Sequence, residues 1–190
     1  GVPNGFTNRM SDQKVFATSI SSPVTFIFPA APDGIGAVYV LDYSGPGFTK
    51  VGHKLLVNLA PLVNLTNQFP AITGTTESYF GEQGLGSIEL SADGKTLYVV
   101  NMGNGKLVKI DISAVDYASL PATAPTAAQV TEIDIPQATA APINGRFRPS
   151  ALQRRGNDLY VGGINDGSTG ANADIQGVVL KYNLLNNTWS

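Results

Sequence analysis

No cysteine occurs in the 190 residues. Disulfides, thiolate metal sites and cysteine nucleophiles are thereby excluded. Histidine occurs once, as His53, so any Ser-His-Asp chemistry has to pass through it. Charge is scarce as well: charged residues make up 14% of the chain, against roughly 25% in a typical soluble domain. With a net charge of −2 and no basic block, the electrostatic footprint of a nucleic-acid binder is missing. No apolar run approaches the roughly 20 residues of a membrane-spanning helix, so membrane insertion is not expected. Neither a signal-peptide pattern nor an initiator Met opens the chain, which reads as a mature product or an excerpt.

What is abundant is turn chemistry. The chain has 21 Gly and 12 Pro, with short apolar runs between them. In "GLGSIELSADGKTLYVVNMGNGKLVKIDI" (84–112), apolar runs break at Asp93-Gly94 and again at Gly103-Asn104-Gly105. Asp-Gly and Asn-Gly supply the positive φ that tight hairpin turns demand. The runs themselves are rich in Val, Ile, Leu and Tyr, as strands are.

The triplet apolar-Tyr-Val recurs at Val38-Tyr39-Val40, Leu97-Tyr98-Val99 and Leu159-Tyr160-Val161. Each copy sits in a strand–turn–strand–turn–strand frame, with approximate repeats at 24–59, 84–135 and 146–190. Val130–Ile135 alternates apolar and polar residues and reads as an outer strand. Loops are expected at 60–83 and 113–129. They read as inert connectors or as partner-binding loops on one face. Gly1–Ser22 reads as a loop with a strand at Val15–Ile20, completing a sheet begun elsewhere. Repeated antiparallel sheets of this kind form β-propeller blades. The expected fold is therefore all-β, with about three blades over 1–190. Three blades are too few for an ordinary ring, so neighbouring blades of the same polypeptide or of other chains are the expected partners.

"IGAVYVLDYSG" (35–45), "GLGSIELSADGKTLYVVNMGNGKL" (84–107) and "RFRPSALQRRGNDLYVGG" (146–163) together resemble the propeller region of large secreted bacterial surface proteins. In that family the propeller precedes serine-aspartate-repeat-type B domains or other immunoglobulin-like modules. The resemblance implies a secreted or cell-surface location and a structural or adhesion role. It brings no catalytic residues. The last repeat also resembles kelch blades, through "YVGG" and the spacing of Tyr182 and Trp189.

Candidate chemistry is thin. His53 with Asp42 and Ser44 lacks the strand–elbow–helix setting of a G-x-S-x-G hydrolase, and His53 opens a strand where a surface histidine is ordinary. Glu77, Glu82, Glu89 and Asp93 form the densest acidic stretch, and a glycosidase pair would be sought there. Asp93 already has a turn role, and Glu89 alternates with Ile88 and Leu90 toward solvent. Zinc has no adequate ligand set. Calcium suits the oxygen-rich loop "NDGSTGANAD", which offers Asn165, Asp166, Asn172 and Asp174, with Asn165, Asp166 and Asp174 as the candidate ligands, although the loop lacks EF-hand spacing and reads first as an ordinary hairpin loop. Arg146, Arg148, Arg154 and Arg155 are expected first to charge a solvated strand edge, with an anionic glycan or a neighbouring domain as the alternative partners. Tyr39, Tyr98, Tyr160 and Trp189 are expected to pack between blades. The leading expectation is a non-catalytic surface module that binds a glycan or protein partner through its loops and needs no cofactor. The alternative is a propeller-type hydrolase or lyase using carboxylates near the axis.

Overall fold

The computed structural model describes residues 3–9, 14–19, 33–49, 51–65, 84–136, 146–166 and 175–190. Apart from three single-turn 3-10 segments, the described residues with regular structure are strands. The strands are β1 (Pro3–Arg9), β2 (Lys14–Ser19), β3 (Ala37–Asp42), β4 (Gly52–Asn58), β5 (Leu85–Leu90), β6 (Thr96–Asn101), β7 (Lys106–Asp111), β8 (Val130–Asp134), β9 (Phe147–Arg155), β10 (Asp158–Asn165), β11 (Gln176–Asn183) and β12 (Thr188–Trp189). They form three four-stranded antiparallel sheets, β1 to β4, β5 to β8 and β9 to β12, each in chain order.

The turns follow from their residues. Between β5 and β6, the Asp93 carboxylate accepts from Ser91 Oγ (2.7 Å) and Lys95 N (3.1 Å), and Gly94 takes φ +70°. Between β6 and β7, Asn101 Oδ1 accepts from Gly103 N (3.0 Å), and Gly105 closes the turn at φ +69°. These are the left-handed positions that glycine fills without steric cost.

The first strands of the two flanking sheets, β1 and β9, both pack against β5, the first strand of the middle sheet, and β2 reaches β5 as well. Thr18 of β2 donates to Gly86 O of β5 (2.8 Å), Ser87 of β5 donates to Leu152 O of β9 (3.3 Å), and Arg154 Nε of β9 donates to Leu90 O of β5 (2.8 Å). Gly86 is needed at this approach, since a Cβ there would lie 2.7 Å from the Ser150 carbonyl oxygen. The sheets therefore fan out from their inner strands as blades do.

Two apolar clusters fill the gaps between blades. One joins Phe16, Val38 and Val40 of the first blade to Leu97, Val99, Val108 and Ile110 of the second. The other joins Tyr98, Val100 and Leu107 of the second to Leu152, Leu159, Val161 and Tyr182 of the third. Each fully buried aliphatic side chain contributes about 1.5–3 kcal/mol. Alternation along β6 explains the division: Leu97 and Val99 face backward in the chain order of blades, while Tyr98 and Val100 face forward.

The register changes the reading of the repeat. Tyr98 and Tyr160 lie on the second strands of their blades, but Tyr39 lies on a third strand, β3. The residue matching Tyr98 and Tyr160 in the first blade is Phe16, which pairs with Thr7 as Tyr98 pairs with Glu89 and Tyr160 with Gln153. An apolar-Tyr-Val triplet suits any half-buried strand, so it does not identify a strand's place in the blade. The N-terminal stretch forms two strands of the first sheet, β1 and β2. Tyr98 is buried between blades and Tyr182 packs against Trp189 in a tilted pair with ring centroids 4.8 Å apart, whereas Tyr39 and Tyr160 are half-buried.

Candidate functional site: a polar row on the inner strands

Thr7, Glu89 and Gln153 hold matching register positions on β1, β5 and β9, each opposite the second-strand aromatic of its own blade. They meet at Glu89. Its Oε1 accepts from Gln153 Nε2 at 3.0 Å. Its Oε2 accepts from Leu90 N at 3.3 Å and from Thr7 Oγ1 at 3.5 Å, the outer limit of a hydrogen bond. One half-buried carboxylate thus links three blades. Strand alternation alone assigns Glu89 to solvent; the structure turns it toward the neighbouring inner strands. The pattern is the same whether the polar side of an inner strand meets bulk water or a ring axis.

Arg154 is not an edge charge either. Its guanidinium crosses to Leu90 O and also reaches Gly156 O (3.0 Å). Arg148 is largely buried and pairs with the Asp166 carboxylate, which also accepts from Arg146 N at 2.9 Å. A buried pair of this kind is costly to break one-sidedly.

Of the calcium candidates, Asn165 is buried at 2% exposure, and among the described residues its Oδ1 has no hydrogen-bond partner. Asp166 serves Arg148, and Asp174 lies outside the described residues. Among the described residues no group of three or more His, Cys, Asp or Glu could hold a metal ion. Glu77 and Glu82 also lie outside the described residues. Asp93 is a turn residue, with its carboxyl held below the usual range by the Ser91 hydroxyl and Lys95 N.

The three residues of the nominal triad occupy the outer part of the first blade. Asp42 and His53 line a cleft of about 400 Å³ between the first two blades. The Lys14 ammonium, 2.8 Å away, and Ser44 hold the Asp42 carboxyl at about 2. Ser44 N donates to Asp42 Oδ1 (2.9 Å), and among the described residues no hydrogen bond joins His53 to either. Lys54 Nζ closes the cleft by donating to the carbonyls of Tyr117 (3.0 Å) and Ala118 (2.8 Å). This arrangement straps two blades and has no base–nucleophile contact.

Comparison with family profiles and with curated proteins gives no match. Among solved structures, the chain is similar to a luciferin-regenerating enzyme, at 14% identity and a TM-score of 0.50, over 95% of this chain and 44% of that one. The fold is that of a propeller. A protein from Lactobacillus plantarum (16% identity, TM-score 0.44) and the periplasmic gluconolactonase of Pseudomonas aeruginosa (17%, 0.37) align over 99% and 100% of this chain, and over 40% and 52% of their own. The propeller therefore spans about half the length of the structures it resembles, or less.

Proposed function

We propose that the propeller contacts a hydroxyl-rich, glycan-type ligand along the Thr7–Glu89–Gln153 row and turns it over as a hydrolase or lyase. The observation that carries this reading is Glu89, a carboxylate fixed at the meeting of three inner strands. Three protein donors occupy three of its roughly four acceptor positions, leaving one for a ligand hydroxyl. Preorganisation by neighbouring donors is what electrostatic catalysis requires. A glycosidase needs a second carboxylate about 5–10 Å away, and under this proposal another part of the ring supplies it. The propeller fold is compatible with catalysis, since a luciferin-regenerating enzyme uses it, although fold alone does not assign a reaction.

A second reading is a secreted, non-catalytic surface or adhesion module. The lacing of the blades by Glu89, Arg154, Ser87 and Thr18 supports it, because these groups act as struts. The likeness of three segments to secreted surface proteins supports it as well. A turnover screen on glycans and sugar lactones, run with the unaltered chain and with Glu89→Gln, separates the two. Turnover that Glu89→Gln abolishes while the fold survives supports the enzyme. Retained glycan binding without turnover in either protein rejects the enzyme and supports the surface module.

A further inference from the structure

We propose that the cleft between the first two blades binds a small zwitterion with an apolar side chain, of the apolar α-amino-acid class. Its volume of about 400 Å³ lies within the roughly 300–1,000 Å³ of small-molecule sites. One wall is the outer part of the first blade, and the other is the connector at 116–118 that follows β7. Alternation builds the first wall. Lys14 pairs with Asp42, and Val40 pairs with both Phe16 and Lys54. Lys14, Asp42, Val40 and Lys54 therefore share one face of the sheet. It is the face on which Phe16 meets the Tyr117 ring of the second blade, with centroids 6.1 Å apart.

The charges lining the cleft are not equivalent. Lys14 and Asp42 neutralise each other at 2.8 Å. Lys54 and Asp116 are bonded only to neutral groups. Lys54 Nζ donates to the Tyr117 and Ala118 carbonyls, and the Asp116 carboxylate accepts from Ala118 N and the Ser119 hydroxyl. Among the described residues neither forms an ion pair. They hold Ala118 from its two ends, Asp116 at the N–H and Lys54 at the carbonyl, so an unmatched anion and an unmatched cation flank a single residue. An ammonium has three donors and a carboxylate roughly four acceptor positions, so both keep capacity for a ligand. A ligand carboxylate beside Lys54 and a ligand ammonium beside Asp116 satisfy both charges at once. A simple anion or cation meets one of them with the wrong sign. Val51 borders the same cleft at 59% exposure, and a ligand side chain resting on it removes apolar surface from water. The cleft lies in the outer part of the blades, apart from the Glu89 row on the inner strands, so neither reading of that row bears on it.

An amide-proton NMR titration with L-leucine tests this. The Lys54 and Ala118 amide signals are expected to shift and saturate in the millimolar range, as solvent-screened charge pairs allow. N-acetyl-L-leucine lacks the ammonium and L-leucinamide lacks the carboxylate, and each should bind about two- to fivefold more weakly. Lys54→Met and Asp116→Asn should each weaken L-leucine by a similar factor. Asn caps a turn as Asp does, so the loss at Asp116→Asn reads the charge and not the turn. Val51→Asp, which charges the apolar wall, should weaken L-leucine as well. If Lys54→Met loses its sheet spectrum along with the strap between blades, Asp116→Asn and Val51→Asp decide. Shifts that never saturate, or that spare the cleft, overturn the proposal. So does equal binding of all three ligands, or binding of L-leucine that none of the folded variants weakens.

Discussion

The second and third blades share strand order, register and a second-strand tyrosine, yet their forward faces differ. Leu107 is sealed under a neighbouring blade, while Val179 at the matching position is open. Sequence pattern writes a half-apolar strand in both places. Whether that strand becomes core depends on the next sheet, so burial in this fold is a property of neighbours as much as of residues. The sharpest test of the contrast is a pair of truncations. Leu107→Ala should cost about 2–5 kcal/mol in urea unfolding, whereas Val179→Ala should change stability by less than about 0.5 kcal/mol. Equal losses would mean that the two faces are equally covered.

Glycines sharpen the comparison next. Gly86→Ala forces a Cβ against the Ser150 carbonyl oxygen at 2.7 Å and should destabilise by about 1–3 kcal/mol. Gly177 of the third blade has, among the described residues, no neighbouring heavy atom within 4 Å of where a Cβ would sit. Gly177→Ala should be neutral or stabilise by about 0.5–1 kcal/mol, because a strand glycine carries excess chain entropy. Thermal unfolding of both variants reads the difference, and a large loss at Gly177 would contradict the open face.

The turns, the central hairpin β6–β7 and the outer strand at Val130–Asp134 are all legible in the sequence, because Asp93-Gly94, Asn104-Gly105 and clean alternation each have a local cause. The first strand is not. "PNGFTNR" has a proline, a glycine and no apolar alternation, and it is a strand only because β2 pairs with it. Tyr39 misleads for the opposite reason, since its local pattern suits any strand. At the candidate site, strand alternation marks Glu89 as polar-facing but cannot say what the polar side faces. The reach of Arg154 to Leu90 O has a sequence separation of 64, and no local signal predicts it.

Acid should act on the first blade by a small, separate route. Asp42 is lowered from its ordinary 3.8 to about 2 by bonds from Lys14 and Ser44. A depressed carboxyl contributes stability that is present above the unfolded value and lost as pH falls through the folded one. The contribution is therefore expected to fade between about pH 4 and pH 2. Because solvent still reaches the half-buried Asp42 carboxyl and screens the pair, Lys14→Met should lose only a slight acid dependence of the unfolding midpoint in that window. A large change at neutral pH would show a role beyond the ion pair.

The central claim is that β1, β5 and β9 are matching inner strands brought side by side, with Glu89 joining them. A double-mutant cycle on Glu89→Ala and Gln153→Ala tests it most directly. The two residues lie on different blades, 64 positions apart, and couple only if the inner strands are adjacent. The expected coupling in urea unfolding is about 0.5–1.5 kcal/mol. Effects that add within about 0.3 kcal/mol would contradict the shared axis.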